Sequence, residues 1–394
     1  MKTILLVSRC PPYPLHLGDR LIIWHLSREL SQRGYVIDLL ALYNRDEDLE
    51  QVDSYRAFFR HIELFQEPAR DSLAYLRRLI DRSARFAASA ERSFCPDLWR
   101  AIADRLDGYE YDLVHCFGSV SVYEYFPLFA GRPNVITPYE SHALYLQSAA
   151  AQGDWRARLR LPLVRRFERF MFAPFDRTVV ISAADRDLLL GLQPALNIEV
   201  IPNGIELSRF RPQELARDPC TLLFVGNYEY APNQDAARVL AEQVLPHVRQ
   251  ARPEARLQLV GANPPAWLRA LESDAIEVSG RVPDVAPYLA RATVFVCPLR
   301  VGAGLKNKVL EALAMGIPVV ATPLSLDGIN ARPGESALVA EADDIAAATI
   351  DLLGDQGLRE RLSRGGRALI ESQYSWARTA SSYERLYDEI CQAK

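Results

Sequence analysis

Short apolar runs alternate with longer helical patterns along this chain, and this alternation restricts its possible folds more than any other feature. The first series of runs occupies residues 3–8, 36–42, 112–117, 134–139 and 177–182. After an interval the pattern restarts, with runs at 221–226, 255–261, 275–280, 293–298 and 318–322. Runs that are apolar on both faces and alternate with helices are typical of parallel sheets covered on both sides. The sequence therefore predicts an α/β protein with two parallel sheets.

The interval between the two series predicts a domain boundary. Residues 201–220 are rich in prolines, charges and other turn-forming residues. A chain of 394 residues also exceeds what one hydrophobic core usually supports. We therefore predict an N-terminal Rossmann-like domain over residues 1–205 and a C-terminal Rossmann-like domain over residues 206–375.

The end of the chain predicts a separate helix over residues 376–394. Its apolar residues fall at helical spacing on one stripe, which comprises Trp376, Tyr383, Tyr387 and Ile390. Such a stripe needs a surface to pack against. We predict that this helix crosses back to the N-terminal domain.

Charge and composition exclude several classes of function. The formal net charge is only -4, which gives no general attraction to nucleic acid, so we predict no nucleic-acid partner. The six cysteines are scattered without the short spacings of zinc sites. The first apolar run is stopped by Arg9 and two prolines, and the sequence has no apolar stretch long enough to span a bilayer. We predict a cytoplasmic protein.

Glycines and lysines meet at the start of an apolar helix in the second half of the chain. Gly302 and Gly304 follow the run at 293–298, and such a strand-to-helix turn offers backbone N–H groups and the positive end of a helix dipole to a phosphate. Lys306 and Lys308 fall in the predicted first helical turn, where a cation is unfavourable unless an anion binds. The alternative is that both lysines only solvate the helix start.

Glu311 stands among apolar neighbours of the same predicted helix, so its carboxylate is expected to be partly buried. A buried carboxylate must be paired or hydrogen-bonded. The two hydroxyl groups of a ribose can donate those hydrogen bonds. The segment therefore predicts a site for the ribose and phosphates of a nucleotide.

The segment KVLEALAMGIPVVAT, residues 308–322, resembles the nucleotide-sugar motif of glycosyltransferase family 4. The segments VIPNGIELSRF, LLFVGNYEYAPN and VSGRVPDVAPYLARATVFVCPLR resemble the same family. The pattern GAGLKNKVLEA is similar to a variant of it in enzymes that build bacterial surface and exported polysaccharides. The resemblance implies the GT-B fold, in which two Rossmann-like domains have parallel sheets facing one another across a cleft.

The resemblance also implies roles for individual residues. Glu311 matches the glutamate that binds the ribose hydroxyls, and the turn at Arg281 and Val282 matches the backbone that holds the base. The backbone N–H groups of Gly304 and Leu305 are expected to approach the sugar and the diphosphate. The glycine loop of the first domain, at Gly18, is expected to lie beneath the donor phosphates. The full set of predicted nucleotide-sugar ligands is Gly18, Asn227, Arg281, Val282, Gly304, Leu305, Lys306, Lys308 and Glu311.

Two positions depart from the family pattern. The family's first motif glutamate is replaced by Ala303, and its arginine and lysine after the first strand of this domain are absent between Gly226 and Asn233. The charge that neutralises the diphosphate must then come from elsewhere. We predict that Lys306 supplies it, with Lys308 as the second candidate.

Candidate residues of the first domain follow its predicted strands. His115 and Glu140 lie near the expected cleft, and Glu140 occupies the position of the histidine that contacts the donor sugar in the family. We predict Glu140, His115 and Lys306 as catalytic, although a histidine after a strand is also a common structural residue. Arg20, at the predicted start of the first helix, either contacts a phosphate or is solvated.

A basic segment, residues 154–177, carries seven arginines and three acidic residues interleaved with apolar side chains. It either docks on an anionic membrane surface and meets a lipid-linked acceptor, or packs as an amphipathic helix on its own domain. A peripheral location at the inner face of a membrane is therefore one prediction.

The resemblance implies a hexosyltransferase that moves a sugar from a nucleotide-diphosphate sugar to a glycan, lipid-linked or small-molecule acceptor with retention of configuration. We predict no cofactor and no metal, because the two D-x-D patterns, Asp46 to Asp48 and Asp185 to Asp187, fall in a loop and at a helix start. The alternatives are an epimerase or phosphorylase of the same architecture, or a degenerate subunit that binds nucleotide sugars without turnover.

Overall fold

The computed structural model describes residues 2–15, 18–69, 73, 77–78, 80–81, 85–151, 153–213, 217–302 and 305–394. Within it the chain forms two compact units. The first comprises Met1–Asn203 together with Trp376–Lys394, and the second comprises Gly204–Ser375. The boundary between them lies inside the turn-rich interval.

The first unit contains a seven-stranded sheet with helices between the strands. Its strands are β1 (Thr3–Ser8), β2 (Val36–Tyr43), β3 (His61–Gln66), β4 (Leu113–Phe117), β5 (Asn134–Tyr139), β6 (Arg177–Val180) and β7 (Ile198–Val200). The helices whose ends lie among the described residues are α1 (Gly18–Gln32), α2 (Glu47–Glu50), α3 (Pro96–Gly108), α4 (Phe126–Phe129), α5 (His142–Ala151), α6 (Trp155–Met171) and α7 (Ala183–Leu192), with short 3-10 turns at Val52–Ser54, Arg56–Phe58, Ala90–Arg92 and Tyr123–Tyr125.

All neighbouring strands of this sheet are parallel, and their order is β3-β2-β1-β4-β5-β6-β7. Both faces are covered, because the residues of β1, β2, β4 and β5 are almost all buried. The helix Trp376–Gln392, here called the C-terminal helix, buries Trp376, Tyr383, Tyr387 and Ile390 in the core beside α1. The predicted apolar stripe is therefore the packing face of this helix.

The second unit repeats the same plan with six strands. They are β8 (Thr221–Val225), β9 (Arg256–Val260), β10 (Ile276–Gly280), β11 (Val294–Cys297), β12 (Val319–Ala321) and β13 (Leu338–Val339), in the order β10-β9-β8-β11-β12-β13. The helices are α8 (Ala231–Val239), α9 (Leu245–Ala251), α10 (Ala266–Arg269), α11 (Ala286–Arg291), α12 (Asn307–Ala314), α13 (Ile345–Gly354) and α14 (Gln356–Gln373), with a π-helical turn at Leu240–Val244 and a 3-10 turn at Pro323–Leu326.

The apolar runs read from the sequence are confirmed as strands, with ends that differ by at most two residues. Three strands were not predicted: β3, β7 and β13. β3 pairs only with β2, and several of its residues are partly exposed, so it lacks the continuous apolar run of an inner strand. β7 and β13 have three and two residues, too few for a periodic pattern.

Candidate functional site

Each sheet reverses its strand order once, and open parallel sheets bind ligands outside the carboxyl ends of the strands at this point. In the second unit the reversal lies between β8 and β11. The segment after β8 is the one that lacks the family's basic residues, and the segment after β11 leads into α12. The predicted glycine and lysine cluster is therefore at the switch point of this sheet.

Of the two lysines predicted for the first turn of helix α12, Lys308 lies in that turn and Lys306 precedes it. Lys306 is its N-cap residue with non-helical backbone angles, and Asn307 is the first helical residue. The helix ends at Ala314, and Gly316 follows with a φ of 65°, a left-handed conformation that favours glycine. Gly366 of α14 packs closely on this helix, since a Cβ there would come within 2.7 Å of Leu313 Cδ2. The buried apolar face of α12 thus fixes the orientation of its N-terminus.

Lys306 lies beside Gly302 and Tyr230. A Cβ placed on Gly302 would be 3.8 Å from Lys306 Cε and 3.7 Å from the Tyr230 hydroxyl. Gly302 has a φ of 137°, so a side chain there would also strain the backbone. The Lys306 side chain is buried, with only 8% of the residue exposed. The structure therefore brings Lys306 next to the segment after β8. Gly304, like Ala303, lies outside the described residues, and Leu305 is buried.

Lys308 turns toward the segment after β8. Its ammonium donates a hydrogen bond to Asn233 Oδ1 and lies 4.6 Å from the centroid of the Phe224 ring. Asn233 Nδ2 in turn donates to the Asn227 carbonyl at 2.7 Å. Burial, together with the nearby charge of Lys306, lowers the pKa of Lys308 to about 8. Lys308 therefore supplies a cation to a segment whose own sequence has none, and we assign it first to holding that segment.

Glu311 is half-buried and lies in the field of charged neighbours. Burial raises its pKa to about 7, while Arg209 and Lys308 oppose that rise and Asp284 adds to it. Arg209 Nη2 is itself 2.9 Å from Asp284 Oδ1. Among the described residues, none donates a hydrogen bond to the Glu311 carboxylate. This carboxylate is thus available to hydroxyl donors from a ligand.

The turn at Arg281 and Val282 follows β10 directly. Gly280 has a φ of 68°, Arg281 is exposed and Val282 is half-buried. Asp284, two residues before helix α11, accepts a hydrogen bond from the backbone N–H of Ala286, the first residue of that helix, at 3.1 Å. The Asn227 side chain is held locally, because its Oδ1 accepts from Glu229 N at 3.1 Å.

In the first unit, His115 is a core residue. It is completely buried, Nδ1 is 2.7 Å from the Tyr387 hydroxyl and Nε2 is 2.8 Å from the Thr137 hydroxyl. Burial lowers its pKa to about 3, so the imidazole is neutral. The prediction that His115 is catalytic is wrong by this geometry, because both ring nitrogens are used inside the core. Its role is to join β4, β5 and the C-terminal helix.

Glu140 is exposed just beyond the carboxyl end of β5, after Tyr139 with a φ of 72°. Two buried carboxylates accept hydrogen bonds from the segment that follows Glu140. Glu168 accepts from Ser141 Oγ and His142 N, both at 2.8 Å, and Asp185 accepts from Ser141 N at 2.8 Å. These contacts fix the start of α5, so the position of Glu140 depends on α6 and α7. Its catalytic role stays a prediction.

Arg20 belongs to a buried ion pair. Its Nη1 is 2.5 Å from Asp48 Oδ1, its Nη2 is 3.2 Å from Oδ2, and only 3% of the residue is exposed. Neither of the two alternatives considered, a phosphate ligand or a solvated side chain, describes it. Gly18, the predicted phosphate-loop glycine, is the first residue of α1. One of the two D-x-D patterns thus contributes Asp48 to a structural pair.

Two family models match this chain. The model described as Glycosyltransferase Family 4 matches residues 21–209, and the model described as Glycosyl transferases group 1 matches residues 219–355. The chain belongs to glycosyltransferase family 4. Together the two matches extend over most of both units, so the resemblance to this family is confirmed.

Named relatives of this family 4 member are similar over part of their length. It is 31% identical over 245 residues to D-inositol 3-phosphate glycosyltransferase of Acidothermus cellulolyticus, covering 53% of this chain and 54% of that one. It is 28% identical over 202 residues to the GDP-mannose-dependent monoacylated alpha-(1-6)-phosphatidylinositol monomannoside mannosyltransferase of Corynebacterium glutamicum, covering 45% and 52%. The chain thus spans about half the length of the curated relatives it matches.

Solved structures confirm the fold. Sucrose-phosphate synthase from Thermosynechococcus elongatus superimposes with a TM-score of 0.76 at 20% identity, and the match covers 100% of both chains. At this identity the likeness establishes the architecture alone. The GT-B fold, with two Rossmann-like units built on parallel sheets, is therefore confirmed for this family 4 member.

Sequence reasoning missed several residues that support this site. Asn233 was noted only as the end of a segment without basic residues, although it holds both Lys308 and the Asn227 carbonyl. Tyr230, whose hydroxyl lies near Gly302, is a partly exposed aromatic residue to which the sequence assigned no role. Glu168 gave one available signal, since it is the only acidic residue of the otherwise apolar and basic helix α6.

Proposed function

We propose that this chain transfers a sugar from a nucleoside-diphosphate sugar to a glycan, lipid-linked or small-molecule acceptor, with retention of configuration. The proposal places the donor on the second unit, with Lys306 beside the diphosphate and Glu311 on the ribose hydroxyls. Arg281 and Val282 contribute backbone groups to the base. Synthesis of bacterial surface or exported polysaccharide, in the cytoplasm, is the context that we propose.

One observation carries the proposal: Lys306 and Lys308 stand together at the N-terminus of α12, one turn before Glu311. Two like charges at the positive end of a helix disfavour each other and the helix dipole. A bound diphosphate removes both costs, because it accepts hydrogen bonds from the helix start and neutralises the cations. Glu311, which no described residue hydrogen-bonds, then accepts from the ribose. A nucleoside diphosphate is the ligand that satisfies both groups at once.

The chemical step that we propose needs positive charge at the leaving group. The bond between the anomeric carbon and the diphosphate oxygen breaks, and the departing diphosphate takes the bonding electron pair. The acceptor hydroxyl attacks from the same face and gives its proton to that phosphate. Lys306 and the N-terminus of α12 stabilise the developing negative charge, and Glu140 is the proposed partner of the sugar hydroxyls.

The proposal is tested first by binding and turnover with purified protein. A panel of nucleotide sugars with different bases is screened by thermal shift, since a ligand that binds only the folded state raises the melting temperature. Binding sugars are then assayed for transfer, with inositol-containing acceptors included because two relatives are named for such acceptors. We expect transfer to persist in EDTA. If EDTA abolishes it and a divalent cation restores it, the metal-independent step is wrong.

A second candidate is a degenerate subunit that binds nucleotide sugars without turnover. It is favoured by Ala303 at the position of the family's first glutamate and by the missing arginine and lysine after β8. Tight binding without hydrolysis or transfer of any sugar in the panel supports it. Release of an isomerised free sugar without an acceptor supports an epimerase instead. Transfer to an acceptor contradicts both.

The proposed role of Glu311 predicts a pH dependence of donor binding. Burial raises the Glu311 pKa to about 7, so the carboxylate that accepts from the ribose is protonated as the pH falls below this value. We expect the dissociation constant of a nucleotide sugar to rise below pH 7, by at most about tenfold per pH unit. Calorimetric titration with an intact nucleotide sugar measures this, because its doubly esterified diphosphate does not titrate in that range.

Glu311→Gln is the matched control for this pH dependence. The amide keeps the shape of the side chain but carries no titrating proton, so we expect weaker binding and a flat profile below pH 7. A profile in the variant that parallels that of the unaltered protein would show that another group titrates.

A further inference from the structure

Helix α6 exposes an apolar stripe along its outer side. Trp155, Leu159 and Leu163, each four residues from the next, are 63%, 66% and 40% exposed. They share one side of the helix because four residues make slightly more than one turn. The opposite side packs on the first unit through Ala157, Phe167, Glu168 and Met171. The stripe is therefore not the packing face of the amphipathic helix but a second apolar surface.

Arginines line both flanks of this stripe. At 3.6 residues per turn, Arg158, Arg165 and Arg169 lie on one flank and Arg156 and Arg160 on the other. Arg156 also lies over the Trp155 ring, 5.5 Å from its centroid. Arg156, Arg160 and Arg169 are exposed, and no described carboxylate forms an ion pair with them. Glu168, the one carboxylate of α6, is on the buried side. The outer surface of α6 is thus apolar from Trp155 to Leu163 and cationic at its flanks, and the exposed Arg166 continues the line of the stripe toward the end of the helix.

We propose that this surface of α6 docks on an anionic phospholipid bilayer. Exposed tryptophan and leucine side chains lower their free energy by entering the headgroup and acyl boundary, while the flanking arginines meet lipid phosphates. A nucleic acid or an acidic soluble polymer offers phosphates or carboxylates but no apolar layer for the stripe. None of the helices in the described part of the chain has the length and the apolar content that a bilayer span requires.

The buried side of the same helix connects this surface to the segment that carries Glu140. Glu168 of α6 accepts hydrogen bonds from Ser141 Oγ and His142 N, directly after Glu140. A docked α6 therefore holds this segment near the bilayer. Under the proposed function, on which this step rests, the acceptor is then attached to a membrane lipid rather than freely diffusing.

Docking is tested by sedimenting the full chain with vesicles, a measurement that does not depend on transferase activity. We expect binding to vesicles of equal parts phosphatidylcholine and phosphatidylglycerol, little binding to phosphatidylcholine alone, and weakening by added salt. Replacing Arg156, Arg160 and Arg169 by glutamine should weaken binding at least tenfold, at roughly a fivefold effect per arginine. Replacing Trp155, Leu159 and Leu163 by serine should weaken it similarly.

A matched control replaces three exposed arginines on other helices, Arg291, Arg364 and Arg385, by glutamine. This variant removes the same charge and should bind vesicles like the unaltered protein. Equal weakening in both arginine variants would overturn the proposal, since net charge alone would explain binding. Equal binding to vesicles with and without phosphatidylglycerol would also overturn the proposal. A change of oligomeric state in the serine variant with unchanged vesicle binding would assign the stripe to contact with a second copy of the chain.

Discussion

We expect Lys306→Met to lower kcat for sugar transfer by about 10²- to 10³-fold, the effect of removing one preorganised group at a developing negative charge. Methionine keeps an unbranched apolar stem in the buried position but removes the ammonium. Affinity for the nucleoside diphosphate should fall as well, because this chain has no basic residue between Gly226 and Asn233 to replace the lost charge. Steady-state kinetics and diphosphate titration measure the two effects.

The melting temperature of Lys306→Met distinguishes a functional role of Lys306 from a structural one. Lys306 is the N-cap residue of α12 and lies close enough to Lys308 to lower its pKa. Removing this cation from the helix N-terminus should leave the melting temperature unchanged or slightly higher. The rise in melting temperature produced by a nucleoside diphosphate should be lost.

Lys306→Arg is the conservative control for this experiment. It keeps the charge with a different geometry and should recover part of the activity. If Lys306→Met instead melts at a much lower temperature and Lys306→Arg restores the fold, the lysine stabilises the helix start. Normal turnover in Lys306→Met would remove Lys306 from the mechanism and leave the charge of the leaving group to another residue.

We expect Asp48→Ala to destabilise the first unit by about 3–5 kcal/mol, the usual cost of removing one partner from a buried ion pair. Asp48 is completely buried and holds Arg20 through two contacts at 2.5 and 3.2 Å. Without the carboxylate, the buried Arg20 guanidinium keeps the Tyr13 carbonyl as an acceptor, and the nearby Asp19 compensates its charge only in part. The melting temperature of the first unit should fall by about 10 °C.

Asp46→Ala is the matched control, because the two residues belong to the same D-x-D pattern. Asp46 is exposed and makes no capping hydrogen bond to α2, so we expect a change within about 0.5 kcal/mol. Denaturant unfolding of both variants distinguishes between two roles for the D-x-D pattern, a structural ion pair and a metal site. Equal and small effects on stability, with a shared loss of metal-dependent activity, would contradict the structural assignment of Asp48.

The fold followed from local patterns to a large extent. Each inner strand, such as β1 or β5, is buried on both faces and therefore appears as a continuous apolar run. The stripe of the C-terminal helix was visible for the same reason, since helical periodicity is a property of neighbouring residues. Strand β3 was not predicted because its residues are only partly buried, and β13 was not predicted because two residues form no pattern.

The candidate site could be located from the sequence, but the roles of its charged residues could not. Lys306, Lys308 and Glu311 were found together because the helix N-terminus and the apolar spacing of α12 are encoded within a few residues. The partner of Lys308 is Asn233, which is far away along the chain and reaches it only through the packing of α12 beside β8. No local pattern predicts that contact.

Three properties could be read from the sequence alone: the two parallel-sheet units, the family, and the segment that is proposed to hold the diphosphate and ribose. These depend on periodicity and on short motifs, which neighbouring residues define. The three-dimensional packing was needed to see that His115 is a core residue, that Arg20 pairs with Asp48, and that α6 exposes apolar side chains on its outer side. Burial and ion pairing depend on which distant elements pack together, and sequence spacing does not specify this.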